Sequence, residues 1–351
     1  MTGAPHPPAP DADPADRPGS ARRWLRAAIQ LVGFAAGLAL LAWCASEAFS
    51  DENRAQLERL REAPATIVGA LVALSALSLI LNGLIFWVTL APVRRISVAS
   101  AITTNALGTF LAYLPMKLSV AARFLLHRTR DGVPVAQIGG WFAAVGVILI
   151  ATMAPLGAVS FALRRVDLVW GAALGAALVL SLAITIIGAR ILRTDAALAR
   201  ARRTLLTLHL GFLERLTRTE TFEHLHSGLS MLAHPGATIA SAALRLADVG
   251  AQAARFLLAA AAVGATLPAD DAILVASVYF LIGVFSPAGT LGVREAGAAG
   301  AATLLGVSSA SAFATVALVV GAAEAITNLA CAGAAVAWLR PDRMLRARQP
   351  Q

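Results

Sequence analysis

Five apolar blocks, at about 27–49, 65–91, 137–162, 168–191 and 309–338, each run past twenty residues with at most one charged side chain. At 1.5 Å per residue, a helix of that length crosses a hydrocarbon core of roughly 30 Å. A sixth block at 237–264 is equally long but carries Arg245, Asp248 and Arg255. With 58% hydrophobic and 14% charged residues, the chain has too little charge to coat a soluble globule of 351 residues. The expected fold is all-α, a polytopic bundle of about six spans.

Two further apolar stretches are broken. Residues 97–126 are interrupted around Tyr113-Leu114-Pro115-Met116-Lys117, and 271–306 around Ser286-Pro287-Ala288-Gly289-Thr290-Leu291-Gly292. Pro and clustered Gly free backbone groups that lipid cannot satisfy, so such breaks belong inside protein or beside a water-filled cavity. Each stretch is expected to be a discontinuous or re-entrant hairpin. If both enter and leave on one face, the N-terminal Arg22, Arg23 and Arg26, then Arg94, Arg95, Arg123, Arg128, Arg130, the Arg-rich 190–218 and the C-terminal arginines share a side. Positive-inside bias then makes that side cytoplasmic, with both termini on it. The hairpins enter from opposite faces, as in inverted-repeat transporters.

The net charge of +9 and pI near 11.1 do not indicate nucleic acid, because the basic residues lie between apolar blocks instead of forming one basic domain. Of the 29 basic side chains all but Lys117 are Arg. Residues 1–20, rich in Pro and Asp, read as a disordered tail. The membrane domain is expected over 21–340 and a basic C-terminal tail over 341–351. Within the domain, Leu198, Leu205, Leu208 and Phe212 alternate with Arg200, Arg203 and Glu214 at helical spacing. The 193–235 insert therefore reads as a helix on the cytoplasmic membrane interface or as a solvated connector.

No phosphate-binding loop, zinc-protease motif, serine-hydrolase elbow or paired-Cys motif is present in the sequence, so an enzyme is not expected and no cofactor is implied. Cys44 and Cys331 read as inert core thiols. His127, His209, His224, His226 and His234 read as solvated loop residues, although His224 and His226 beside Glu223 could hold a metal.

Candidate binding residues gather at the two breaks. Pro287, Gly289 and Gly292 stop a helix, and the small residues from Ala296 can start a half-helix with a partially positive N-terminus. Arg294 and Glu295 stand at that junction, either as an ion pair in a protein-lined polar site or as a headgroup-level turn that fixes topology. Asn105, Pro115, Lys117 and Arg123 surround the first break; Lys117 is either a required compact charge or a chance survivor. Arg245, Asp248, Gln252 and Arg255 recur at i, i+3, i+7 and i+10, a polar stripe facing the bundle interior, where Arg245 and Asp248 could be a purely structural pair. Glu324, one turn before Asn328, reads as a proton-relay site or as interhelical glue.

At these breaks the chain resembles the membrane (flippase) half of bacterial lysylphosphatidylglycerol synthetases and the related flippase-like integral membrane proteins. The resemblance rests on Asn105, Leu114-Pro115-Met116-Lys117 and Arg123, and on Ser286-Pro287-Ala288-Gly289-Thr290-Leu291-Gly292-Val293-Arg294-Glu295-Ala296, and it spans about 25–340. Relatives often carry Pro-Gly-Gly where this chain has Pro287-Ala288-Gly289. The resemblance implies a lipid-handling domain in the bacterial inner membrane, with membrane lipids as partners. The synthetases carry a soluble aminoacyl-transferase domain after the membrane part, and with the sequence ending at Gln351 lipid aminoacylation is not expected. The expected function is translocation of an anionic or lipid-linked head group without ATP hydrolysis. The alternative is an accessory membrane subunit of a lipid, hopanoid or cell-envelope biosynthetic pathway, with a biosynthetic enzyme as partner; an intramembrane lipid transferase is a third.

Overall fold

The computed structural model describes residues 20–115, 118–194, 228–286 and 289–340, with scattered positions between 195 and 227. The proposed tails, most of the 193–235 insert, Lys117 and Pro287 lie outside the described residues.

Among the described residues the helices are α1 (Ser20–Ala48), α2 (Arg54–Arg61), α3 (Ala65–Leu90), α4 (Val98–Leu111), α5 (Leu118–Thr129), α6 (Val135–Leu163), α7 (Leu168–Leu192), α8 (Pro235–Ala262), α9 (Ala269–Phe285), α10 (Val293–Leu304) and α11 (Ala310–Leu339). Five of them, α1, α3, α6, α7 and α11, are long and apolar enough to cross a membrane. The sixth long helix, α8, has the polar stripe, and it packs along α3 with Arg245, Asp248, Gln252 and Arg255 all buried. The chain is a polytopic helical bundle.

Local chemistry sets the helix limits. Side chains of Ser97, Asp167 and Ser309 each accept the backbone N–H three residues on, satisfying a donor that lipid could not. Pro64, Pro134 and Pro268 stand immediately before α3, α6 and α9. Pro155 lies inside α6 and cannot bond the carbonyl of Ala151, four residues back. Ser181 of α7 donates to that carbonyl instead, at 2.9 Å. A helix–helix contact thus repairs the ladder in a setting without water. The 47–64 connection between α1 and α3 holds the short helix α2.

Both broken stretches fold as hairpins, and a polar clasp closes the base of each. Asp131, after α5, accepts from Ser100 near the start of α4 at 2.8 Å and contacts His127 Nδ1 at 2.7 Å, while its carbonyl accepts from Arg94. His127 is therefore buried beside Trp141 and not solvated as expected. Its carboxylate partner follows at i+4, a contact that a loop assignment hid. At the other face, Arg164 donates to Asp271 near the start of α9 at 2.8 Å and to the carbonyl of Leu305 just past α10 at 2.9 Å.

These clasps orient the bundle. The Asp131 clasp shares its face with the Arg130–Trp338 contact at the end of α11 and the Arg190–Ala233 bond at the end of α7. The Arg164 clasp shares the opposite face with Arg59 on the Gly264 carbonyl and Asn53 on the Ser311 carbonyl. The two hairpins enter from opposite faces, and Ser20 and Leu339 lie on the same one. That face carries Arg94, Arg95, Arg128, Arg130, Arg190 and Arg193, whereas the other mixes five arginines of its loops with Asp51, Glu52, Glu58, Glu62, Asp167, Asp270 and Asp271.

Candidate functional site

Mid-bundle, the tips of the two hairpins touch. Thr290 N–H donates to the Ala112 carbonyl at 3.2 Å, and Gly289, at φ 114°, lies against the Tyr113 carbonyl. Gly292 has φ 77°, and a Cβ built there would stand 1.9 Å from the Gly37 carbonyl oxygen of α1. Only a glycine gives both the left-handed conformation and that backbone approach. Hence Gly292 seats the second tip on α1 rather than lining a site.

Beside the tips lies a cavity of about 550 Å³, within the size range of small-molecule sites. One wall is polar: Ser75, Ser78 and Asn82 from α3, Asn105 and Thr109 from α4, Arg123 from α5, Arg245, Gln252 and Arg255 from α8, Arg294 from α10, and Glu324 and Asn328 from α11. The apolar lining comes from Leu79 and Phe86 of α3, Phe142, Val145 and Leu149 of α6 and Phe280 of α9, with Val120, Leu114, Val284 and Phe285 at the rim. These four rim residues are exposed on the outer surface, Phe285 at 66%. The cavity is thus amphipathic and borders the lipid-facing side of the bundle.

Carboxylates organise the polar wall. Glu324 takes Arg294 in two parallel bonds, 2.6 and 3.1 Å, and Arg255 at 3.0 Å. Bidentate guanidinium–carboxylate geometry adds orientation to charge. Arg294 also lies 3.9 Å from the Tyr279 ring centroid, and Arg255 donates to Ser75. Asp248, fully buried, accepts from Arg245 at 2.7 Å, from Gln252 at 3.1 Å and from Ser78. Arg245 reaches on to Asn82 at 2.8 Å. Arg123 differs: its acceptors are Ser119, Asn105 and Thr109, all neutral, at 3.1, 2.9 and 3.3 Å. Asn105 is itself held by donating to the Leu79 carbonyl.

The structure thus gathers most of the residues singled out from the sequence. Asn105, Arg123, Arg245, Gly289, Arg294 and Glu324 line one cavity, with Asp248 behind Arg245. Pro115 stands in the first break without lining the cavity. The expected Arg294–Glu295 pair is absent. Consecutive helical side chains diverge by about 100°, so Arg294 faces Glu324 while Glu295 turns to Tyr279, whose hydroxyl donates to it at 3.3 Å. Glu295 Oε2 is buried with no hydrogen-bond partner. The sequence reading passed over Ser75, Ser78 and Asn82, although their i, i+3, i+7 spacing in an otherwise apolar helix was a visible signal.

The motifs that carry the resemblance to a flippase-like family, around Asn105, Leu114-Pro115 and Arg123 and from Gly289 to Ala296, lie at the two hairpins. Comparison with curated proteins and with solved structures gives no match. Residues 29–331 match the family described as lysylphosphatidylglycerol synthase TM region. That match takes in both hairpins and every described cavity-lining residue, and the chain belongs to this family of membrane regions.

Proposed function

We propose that this protein is a lipid flippase or transporter that moves an anionic or lipid-linked head group without hydrolysing ATP, as a transporter and not an enzyme. The amphipathic cavity between two opposed hairpins carries this reading. Its arginine-rich wall suits an anionic head group, and its apolar lining and lipid-facing rim suit acyl or prenyl chains. A head group crossing the bilayer interior has to exchange water for protein donors. Arg294 at the start of α10, the backbone around Gly289, and Arg123 and Arg245 supply such donors. Glu324 orients Arg255 and Arg294 at the cavity, the interhelical-glue role of its two sequence readings.

We place the protein in the bacterial inner membrane with both termini cytoplasmic, because the face shared by both ends holds an excess of arginine and the other face an excess of carboxylates. Single cysteines at Arg128 and Asp270 should label from opposite sides; labelling from one side overturns this orientation. For function, purified protein in liposomes should accelerate translocation of a fluorescent phosphatidylglycerol above the protein-free rate. Arg294→Ala should abolish the acceleration while remaining folded. Normal transport by that variant would remove the proposed site. No transport by wild type, together with co-purification of a biosynthetic enzyme, would favour the accessory-subunit reading.

A further inference from the structure

The cavity wall carries more positive charge than its own carboxylates match. Among the described lining residues there are four guanidiniums, Arg123, Arg245, Arg255 and Arg294, and one carboxylate, Glu324, with Asp248 directly behind. Arg245 and Asp248 neutralise each other one to one. Glu324 serves two arginines at once. Arg123 has no carboxylate within ion-pairing distance among the described residues and bonds only neutral oxygens. Glu295, the other buried carboxylate nearby, faces Tyr279 and lies outside the lining. Counting the carboxylates that touch a lining arginine, Asp248 and Glu324 against four guanidiniums, two charges are left unpaired by contact, one on Arg123 and one shared by Arg255 and Arg294.

Donors are in excess too. Each guanidinium has five N–H groups and no acceptor, and the Nε atoms of all four, Arg123, Arg245, Arg255 and Arg294, are buried without a partner, against one unpartnered acceptor in the lining, Gln252 Oε1. Unmatched cations within a membrane are costly, and an anion that supplies both charge and acceptors relieves the cost. A single phosphodiester brings one charge and leaves one pole unmet. We infer that the cavity selects a lipid whose head group carries two negative charges in phosphate form, one met by Arg123 and the other by the Arg255–Arg294 pair. This inference rests on the lipid reading above and narrows its substrate class.

The test is equilibrium binding to the full chain in uncharged detergent, by competition with a fluorescent phosphatidylglycerol. Dioleoylglycerol diphosphate and dioleoylphosphatidylglycerol have the same chains and differ in head-group charge; dioleoylglycerol is the uncharged control. The diphosphate lipid should bind at least about tenfold more tightly than phosphatidylglycerol, about 1.4 kcal/mol. Arg123→Gln should shrink that preference to less than about threefold, since one pole is gone. If that variant does not fold, Gly108→Ala serves. A Cβ there would lie 2.5 Å from Arg123 Nε, so the guanidinium must move while its charge is kept. It too should reduce the preference.

Equal affinity of wild type for the two anionic lipids would overturn the inference while leaving the lipid reading intact. A wild type that binds none of the three lipids would overturn the lipid reading itself. Soluble inorganic diphosphate competing as well as its lipid form would show a free-anion site and overturn the lipid assignment. A preference that survives Arg123→Gln unchanged in folded protein would overturn the role given to Arg123.

Discussion

The two hairpins share a design and differ in how they handle their arginine. Each is a pair of half-length helices closed at its base by a polar clasp, and each has an arginine after the break. In the second, Arg294 is locked to Glu324 and its tip is seated by glycine on α1. In the first, Arg123 is held only by neutral groups. A buried ion pair made within the protein is costly to break by removing one partner, whereas a charge left without a counter-ion can take one from a ligand. The second hairpin's arginine therefore shares a carboxylate with Arg255, and the first hairpin's arginine has none.

This contrast can be broken most directly at Glu324. Glu324→Gln leaves two buried guanidiniums without their shared carboxylate and should destabilise the protein by about 3–5 kcal/mol. The drop would be read as a fall in melting temperature in detergent. A variant as stable as wild type would mean that the second hairpin is no more locked than the first.

Gly292→Ala should come next, at about 2–3 kcal/mol, from left-handed strain plus overlap with the Gly37 carbonyl. The same melting assay checks it, and Gly300→Ala, where a Cβ meets nothing within 4 Å, should be close to silent. Equal losses at both positions would remove the special seating of the tip.

The smallest effect on stability is expected at Arg123. Arg123→Gln relieves the cost of a cation that has no ionic partner but gives up its bonds to Ser119, Asn105 and Thr109; the two effects offset to a net stability change of less than about 1 kcal/mol, while lipid translocation should fall sharply. A large stability loss there would make Arg123 as structural as Arg294 and erase the difference between the hairpins.

Much of this architecture was legible from residue order alone. Long apolar blocks with at most one charge can satisfy their backbone across a bilayer as helices, and Pro115 and the Pro and Gly cluster at 286–292 mark where the helices stop. The i, i+3, i+7, i+10 spacing of Arg245, Asp248, Gln252 and Arg255 told which side of α8 is buried, since helical periodicity is local. Partner choice is not local. Arg294 stands next to Glu295 in sequence, but its carboxylate is thirty residues away on another helix, because adjacent helical side chains diverge. That Glu324 would receive two arginines, that Asp131 would bury His127, and that Gly292 would meet Gly37 depended on which helices the bundle sets side by side. Sequence order determined the helices, their breaks and the supply of buried charge. Tertiary packing decided which charges pair and which have no counter-ion in contact, because ion pairing acts over a few ångströms of space whatever the separation along the chain.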